Sequence, residues 1–318
     1  DWSGIQNFVT SNGLYFFADG DWNDATNWYF GEVPEDYSDV TINANAFIPD
    51  GYDARVSSII FGENGSLTIL DGGQLHSNYS VDATIEKNIA GYGEGEGNWY
   101  LISSPISEIA PAQYGLTEGN YDLYAFYTGN AGNEWVNYKD NPFDMVDGFG
   151  YLYAKEEDAT LSFTGTMYRV YNNYFYNGIP LAFSDTLNTN FNWTLAGNML
   201  PYNVYAYVGI INDNNYVELA EEQNFYKLND EGTMVVASDN VVRPCEGIFV
   251  RATGAGQYVF FSAVEHDIEA KCKVSISLVE DNNPIGKTVV RNGKSRNAHK
   301  LQFGKTATAK VTISNKVK

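Results

Sequence analysis

An internal repeat constrains the fold of this chain more than any other feature. Residues 98–105 read Asn-Trp-Tyr-Leu-Ile-Ser-Ser-Pro, and residues 192–199 read Asn-Trp-Thr-Leu-Ala-Gly-Asn-Met. A second pair, Gly-Tyr-Leu-Tyr at residues 150–153 and Gly-Ile-Phe-Val at 247–250, recurs at nearly the same spacing. Two independent matches at almost one spacing predict a degenerate duplication, in which Trp99 and Trp193 are equivalent buried core anchors.

The composition favours β-structure with many tight turns. Aromatic residues make up 15% of the chain, and there are 30 glycines. Aromatic side chains suit half-buried pleated surfaces, and glycine tolerates positive φ in turns. We therefore predict an all-β protein. No helix longer than about 10 residues is expected, because no stretch shows a convincing 3.6-residue periodicity over that length.

Residues 39–80 hold short apolar pieces separated by Asp-Gly and Asn-Gly turns. Strands this short do not form separate cores, so stacked rungs, as in a small β-helix or β-roll, are the natural solution. An ordinary meander sheet is the alternative. Further along, strict alternation over residues 121–127 and a second run at 134–139 predict a β-hairpin.

The charge is strongly acidic and unevenly distributed. The formal net charge is -21, yet residues 266–318 contain 11 Lys and Arg against 4 Asp and Glu. An acidic body argues against nucleic-acid partners and anionic membrane surfaces. No apolar run approaches the ~20 residues of a membrane-spanning helix, so no membrane insertion is expected. The basic end predicts a separate β segment, which either completes a local sheet or pairs residues 271–278 with the sheet edge of a neighbouring molecule.

Several of these motifs resemble those of large secreted and cell-surface proteins of Bacteroidetes-type bacteria. The motifs are the Trp-Tyr-Leu-Ile-Ser-Ser-Pro strand at 99–105, the Gly-Tyr-Leu-Tyr-Ala strand at 150–154 and Pro-Cys-Glu-Gly-Ile-Phe-Val at 244–250. The resemblance covers roughly residues 18–265 and implies rung-like modules followed by a β-sandwich. It implies an extracellular or cell-surface location and a role in adhesion, assembly or glycan contact. Two departures are the displaced Pro201 in the second copy and the Lys-rich tail.

Together these features predict three regions. Residues 1–80 form a rung-like β domain, and residues 81–265 form a duplicated β-sandwich with repeats at about 98–191 and 192–265. Residues 266–318 form a short basic C-terminal β segment. The chain does not begin with Met, which suggests a mature or excised end. Cys245 and Cys272 form either one disulfide or a buried thiol and a bystander.

The sequence offers little for catalysis or for a cofactor. The histidines are His76, His266 and His299, far apart in sequence, and no Gly-x-Ser-x-Gly motif is present. We therefore predict no catalytic residues and no cofactor.

An acidic stretch at residues 19–24 gives a weak indication of calcium binding. Asp19, Asp21 and Asn23 match the start of a calcium loop, but the glycine and the bidentate acid required further along are missing. A solvated turn is the favoured interpretation.

A tyrosine-rich segment provides the best candidate binding site. Tyrosine rings stack on the apolar faces of sugars or pack in protein interfaces, while asparagine amides bind hydroxyl groups. The candidate ligand-binding residues are Tyr168, Tyr171, Tyr174, Tyr176, Asn172 and Asn173. The sequence thus predicts a non-catalytic extracellular structural or adhesion module that binds other surface proteins or copies of itself. A carbohydrate-binding module of a secreted glycan-degrading system is the alternative.

Overall fold

A computed structural model describes residues 14–93, 95, 98–128, 132–167, 178–184, 192–212, 215–219, 225–229, 232–264, 273–280, 283–291 and 308–314. The protein is all-β and β-sandwich-like, with its strands distributed over several sheets. Two short 3₁₀ turns, Ala25–Asn27 and Pro111–Tyr114, are the helical segments of the described residues.

The N-terminal strands alternate between two sheets. In chain order they are Leu14–Phe16 (β1), Gly20–Asp21 (β2), Ser38–Ile42 (β3), Asn45–Ile48 (β4), Asp53–Phe61 (β5), Ser66–Ile69 (β6), Gln74–Ser77 (β7) and Val81–Ile89 (β8). The order β1-β3-β5-β7 forms one parallel sheet, and β2, β4, β6 and β8 pair in parallel in another. Gly51 and Gly72 follow Asp50 and Asp71 in the turns, with φ of 72° and 87°, a region that favours glycine.

Five strands follow in the first repeat. They are Tyr100–Ser103 (β9), Tyr121–Phe126 (β10), Trp135–Asn137 (β11), Gly150–Lys155 (β12) and Ala159–Met167 (β13). The order β11-β10-β12-β9 forms an antiparallel four-stranded sheet, here called the first repeat sheet. The predicted hairpin of β10 and β11 is confirmed. β13 instead pairs with β8. The sheet of β2, β4, β6 and β8 therefore gains a strand from the first repeat and continues across residue 80.

Nine further strands are described between residues 178 and 264. They are Ile179–Pro180 (β14), Trp193–Gly197 (β15), Val204–Asn212 (β16), Asn215–Glu218 (β17), Phe225–Leu228 (β18), Met234–Val236 (β19), Val241–Val242 (β20), Gly247–Arg251 (β21) and Gln257–Ala263 (β22). The order β19-β18-β21-β15 forms the second repeat sheet. A separate sheet has the order β14-β22-β16-β17, with β20 paired to β16.

The two repeat sheets share one strand order and one register. Ser103 lies opposite Gly150 in the first sheet, and Gly197 lies opposite Gly247 in the second. Each sheet therefore places its Trp-x-Leu strand at one edge, next to the strand that begins with glycine. The matching edge on the far side is β11 in the first sheet and β19 in the second.

The buried apolar residues form three clusters. The largest joins the N-terminal sheets to the first repeat, and a second lies within the second repeat. A third, smaller cluster consists of Leu101, Leu195 and Phe249, which come from both repeat sheets. The two repeats thus have separate main cores and share a small apolar cluster between them.

The C-terminal residues form a unit of their own, because contacts divide the chain into residues 1–264 and 265–318. Its described strands are Lys273–Glu280 (β23), Asn283–Arg291 (β24) and Thr308–Ser314 (β25), in the order β24-β23-β25. β23 pairs on both sides, so its main chain is not a free edge. Of the two predicted alternatives, residues 273–280 fit the local sheet, and pairing of the C-terminal unit with a neighbouring molecule stays a prediction.

Candidate functional site

Main-chain hydrogen bonds join the two repeats reciprocally. The Ser103 amide donates to the Cys245 carbonyl at 2.9 Å, and the Gly197 amide donates to the Gly148 carbonyl at 2.8 Å. Ser103 matches Gly197 in the register, and Cys245 matches Gly148 at the start of the paired strand. The two bonds are thus related by a pseudo-two-fold axis, as in a symmetric dimer interface. We call the contact of residues 101–103 and 148–150 with residues 195–198 and 245–247 the joint.

Glycines allow the close approach at the joint. A Cβ atom added to Gly197 would lie 2.4 Å from the Ser103 Cβ and 2.5 Å from the Phe149 carbonyl oxygen. A Cβ atom on Gly150 would lie 2.8 Å from the Leu195 Cγ. Because any larger residue would force the two sheets apart, these positions require glycine.

Buried polar groups at the joint are hydrogen-bonded. The Ser103 hydroxyl donates to the Asn198 carbonyl at 2.7 Å. The Asn198 amide group in turn donates to the carbonyls of Tyr202 and Val242, while its oxygen accepts from the Leu200 amide. A satisfied buried network of this kind fixes one geometry, because leaving any member unpaired costs about 1–3 kcal/mol.

A partly buried ion pair links the second repeat to the N-terminal sheets. The Lys87 ammonium on β8 lies 2.8 Å from a Glu246 carboxylate oxygen and 3.4 Å from one of Asp71. Burial alone would lower the pKa of Lys87, but the charges and hydrogen bonds of Glu246 and Asp71 outweigh it and raise that pKa. Lys87 therefore stays charged and holds the two parts of the unit together.

Cys245 is a fully buried free thiol with left-handed backbone geometry. Its φ is 60°, and the matching residue Gly148 has a φ of 81°. Burial raises the pKa of the Cys245 thiol well above its ordinary value, so it stays neutral and unreactive. Cys272, its predicted alternative partner, lies outside the described residues.

The two tryptophans hold matching positions, but they are not the buried core anchors that the sequence predicted. Both indoles are half-buried. Trp193 packs edge-on against Tyr226 at 4.8 Å, with the Arg251 guanidinium 5.8 Å from its ring centre. Trp99 packs against Tyr124 at 6.0 Å. Alternation along residues 99–103 and 193–197 puts Trp99 on the same face as Leu101 and Trp193 on the same face as Leu195. Trp193 packs against the small cluster that these leucines share, away from the main cores.

A second feature is an exposed group of rings, here called the N-terminal aromatic patch. Phe17, Tyr29 and Phe30 are 52%, 68% and 65% exposed. Neighbouring rings meet at right angles, with centroids 6.3 Å apart for Phe17 and Tyr29 and 5.2 Å apart for Tyr29 and Phe30. Exposed apolar groups of this kind mark interaction sites in soluble proteins.

The acidic loop is a hydrogen-bonded turn. An Asp19 oxygen accepts the Asn45 amide at 2.8 Å, and this hydrogen bond lowers the pKa of Asp19. The Asp21 carbonyl accepts from the Asn27 side chain. Over the described residues, no three His, Cys, Asp or Glu side chains are grouped to hold a metal. Calcium binding by Asp19, Asp21 and Asn23 stays a prediction.

The predicted ligand-binding residues lie outside the described residues. They are Tyr168, Tyr171, Tyr174, Tyr176, Asn172 and Asn173. Sequence reasoning missed the aromatic patch and the Lys87–Glu246 pair. The Trp-Tyr-Phe run at 28–30 was a signal for the patch. Successive side chains of a strand point to opposite faces, so three consecutive rings cannot all lie on one buried face. The ion pair joins residues far apart in the chain, and no local pattern could indicate it.

Comparisons of the chain with protein-family models, curated proteins and solved structures give no significant match. In the part of the chain that the structure describes, no helix has the length and apolar character needed to cross a membrane.

Proposed function

We propose that the protein is a non-catalytic extracellular structural and adhesion module of a bacterial surface protein or fibre. The observation that carries this proposal is the joint. Its reciprocal hydrogen bonds, required glycines and buried polar network favour one fixed arrangement of the two repeats over a hinge. A spacer that transmits force needs such a connection, because domains that share only a small polar interface move relative to one another by default.

We infer further that the two N-terminal parallel sheets are the walls of a short coil of stacked strands. Consecutive strands alternate between these sheets, as rungs of a coil would. The two edge strands of the β1-β3-β5-β7 sheet, β1 and β7, are also hydrogen-bonded to other segments of the chain. The Tyr29 amide donates to the Tyr15 carbonyl at 2.9 Å on one side, and the Leu75 amide donates to the Pro201 carbonyl at 2.8 Å on the other. Covered edges prevent uncontrolled strand addition.

The residues from 98 to 264 are, in this proposal, a duplicated pair of β-sandwich-like repeats fused at the joint. The shared strand order and register of the two repeat sheets support this inference. Adhesion would then use exposed surface outside the joint, with other surface proteins or further copies of the chain as partners.

Force spectroscopy on the full chain tests the structural role. Residues 1–264 should unfold in one main event, because the contacts of the joint, the shared apolar cluster and the Lys87–Glu246 pair are disrupted together. In Gly197→Val the same unit should unfold in at least two events at lower force. Gly254→Ala is the control, because a Cβ atom there meets only the far end of the Gln257 side chain, at 3.5 Å. Stepwise unfolding of the unaltered protein would contradict the proposal.

A carbohydrate-binding module is the second candidate, and the N-terminal aromatic patch favours it. Exposed rings such as Tyr29 and Phe30 supply faces on which sugars stack. The interplanar angles of 82° and 87° mean, however, that neighbouring rings do not form one flat platform for a glycan chain. The perpendicular arrangement therefore suits contact with a protein surface better.

A glycan array decides between the two candidates. The structural and adhesion role predicts no binding above background for the full chain. Binding that is lost in Tyr29→Ala with Phe30→Ala, and kept in the control Tyr79→Ala, would establish the carbohydrate-binding function instead. Tyr79 suits the control because its side chain is also exposed, at 59%.

A further inference from the structure

The two repeat sheets have matching edge strands, β11 and β19, which differ in whether other residues cover their outer main-chain groups. β11 carries Trp135, Val136 and Asn137, and β19 carries Met234, Val235 and Val236. Sheet edges expose unpaired main-chain groups, and natural proteins usually cover or charge them. The matching positions make each edge a control for the other.

The edge at β11 is covered. The Asn137 carbonyl accepts from the amides of Asp140 and Asn141, so the following turn uses a main-chain group of the edge. Trp135 packs edge-on against Phe126 at 5.0 Å and Phe249 at 5.9 Å. A strand added here would have to displace the turn from the Asn137 carbonyl.

The edge at β19 is open among the described residues. Met234, Val235 and Val236 are 40%, 37% and 64% exposed, and β19 is the last strand of its sheet. The ladder to β18 places Val236 opposite Tyr226 and Met234 opposite Leu228.

The ladder also shows which main-chain groups of β19 face outward. The flanking bonds, from the Ala237 amide to the Phe225 carbonyl and from the Asn229 amide to the Thr233 carbonyl, set the alternation. By that alternation Val235 bonds inward to β18, and the amides and carbonyls of Met234 and Val236 point outward.

Acidic residues surround this open edge in the sequence. Asp230 and Glu231 precede β19, and Asp239 follows it. Lys227 lies opposite Val235 and pairs with Asp239 at 3.0 Å, and the chain as a whole carries a net charge of -21. An approaching strand with positive charge would be attracted, and an acidic one repelled.

We propose that β19 is a docking edge for an extended, basic segment of a partner protein. The segment adds to the second repeat sheet as a further strand, with its main chain bonded to Met234 and Val236. Apolar side chains at alternate positions of the segment cover those of β19, and lysine or arginine at its ends is attracted by the net negative charge of the chain. Main-chain pairing supplies the affinity, and the charge selects the partner.

A synthetic peptide tests the proposal on the full chain. The probe is a fluorescent seven-residue peptide that alternates valine and threonine between terminal lysines, and its control carries glutamates at the ends. Fluorescence anisotropy should show saturable binding of the basic peptide, at least tenfold tighter than the acidic one and weakened by added salt. Equal binding of the two peptides, or none of the basic one, would overturn the proposal.

Two variants locate the binding at β19. Val236→Pro removes an outward amide and leaves the inward ladder bond of Val235 in place, while Val236→Lys puts a positive charge on the edge. Each should weaken binding of the basic peptide at least tenfold, with an unchanged circular dichroism spectrum. Asn137→Pro on β11 is the matched control and should bind as the unaltered protein does. Binding that survives both Val236 changes, or dimerisation through β19 measured by sedimentation in place of peptide binding, would overturn the assignment.

Discussion

The first and second repeat sheets have the same strand order and register, yet they use different side chains at matching positions. Leu101 and Leu195 are both buried in the shared cluster. Glu246 forms a partly buried ion pair at the position where the first repeat has Phe149, which is 38% exposed. The comparison teaches that main-chain geometry and small residues preserve the pseudo-two-fold joint. The charged side chains and the covering of the sheet edges, in contrast, differ between the two copies.

The largest effects should come from the matching leucines of the joint. Leu101→Ala and Leu195→Ala should each lower the free energy of unfolding by about 3 kcal/mol, as for other buried leucines. The two losses should agree within about 1 kcal/mol, since both side chains lie in one cluster. Urea denaturation measures both, with Ile60→Ala, at a 63% exposed position, as the control. Strongly unequal losses would break the two-fold comparison.

A smaller effect should separate Glu246 from its counterpart Phe149. Glu246→Ala leaves Lys87 with Asp71 as its remaining partner and should cost about 2 kcal/mol. That value is below the ~3–5 kcal/mol of a fully enclosed pair, because the Glu246 side chain keeps 26% of its exposure. Phe149→Ala should cost under about 1 kcal/mol. Equal costs in thermal unfolding would show that the ion pair contributes nothing beyond packing.

Alkaline pH should reveal a titration that the matching position of the second repeat lacks. Burial raises the pKa of Tyr151 to about 12, whereas the matching residue is Ile248. The unfolded phenol ionises near pH 10, so stability is complete below about pH 10 and is lost as pH rises toward 12. One such group contributes at most about 1.4 kcal/mol per pH unit.

Tyr151→Phe tests this titration. The variant should lose about 1 kcal/mol at neutral pH, because the Tyr151 hydroxyl no longer accepts the Val146 amide. Its urea midpoint should then fall less steeply than that of the unaltered protein above about pH 10. Parallel pH profiles would mean that Tyr151 ionises equally in the folded and unfolded states.

The smallest net effect should come from Cys245. Cys245→Gly removes a left-handed non-glycine residue, which stabilises by about 1 kcal/mol, and loses a buried thiol of similar value. The net change should stay within about 1 kcal/mol. Gly148→Ala at the matching position should cost about 1–2 kcal/mol, because it adds left-handed strain and a Cβ atom 3.1 Å from Ile179. A loss above 2 kcal/mol in Cys245→Gly would show that the thiol packing dominates.

The sequence predicted the strands and the matching positions of the repeat, because periodicity and turn residues are local signals. It placed the two tryptophans in the core because they hold equivalent positions in the repeat. The structure places them on the inter-repeat face, since the small residues Ser103 and Gly197 on the same strand face bring the two sheets together. The pairing of β13 with β8 and the Lys87–Glu246 bond depend on distant segments, which a single sequence does not specify. The predicted tyrosine-rich site lies outside the described residues and stays a prediction.

Hydrogen exchange at the Ser103 and Gly197 amides tests the joint most directly. Both amides donate across the pseudo-two-fold axis, to carbonyls of the opposite repeat. If the joint fixes the two repeats as one body, both amides exchange only through global unfolding, with opening free energies equal to that of unfolding and to each other within about 1 kcal/mol. Rapid exchange of either amide through a local opening, while the strands on each side stay protected, would contradict the account.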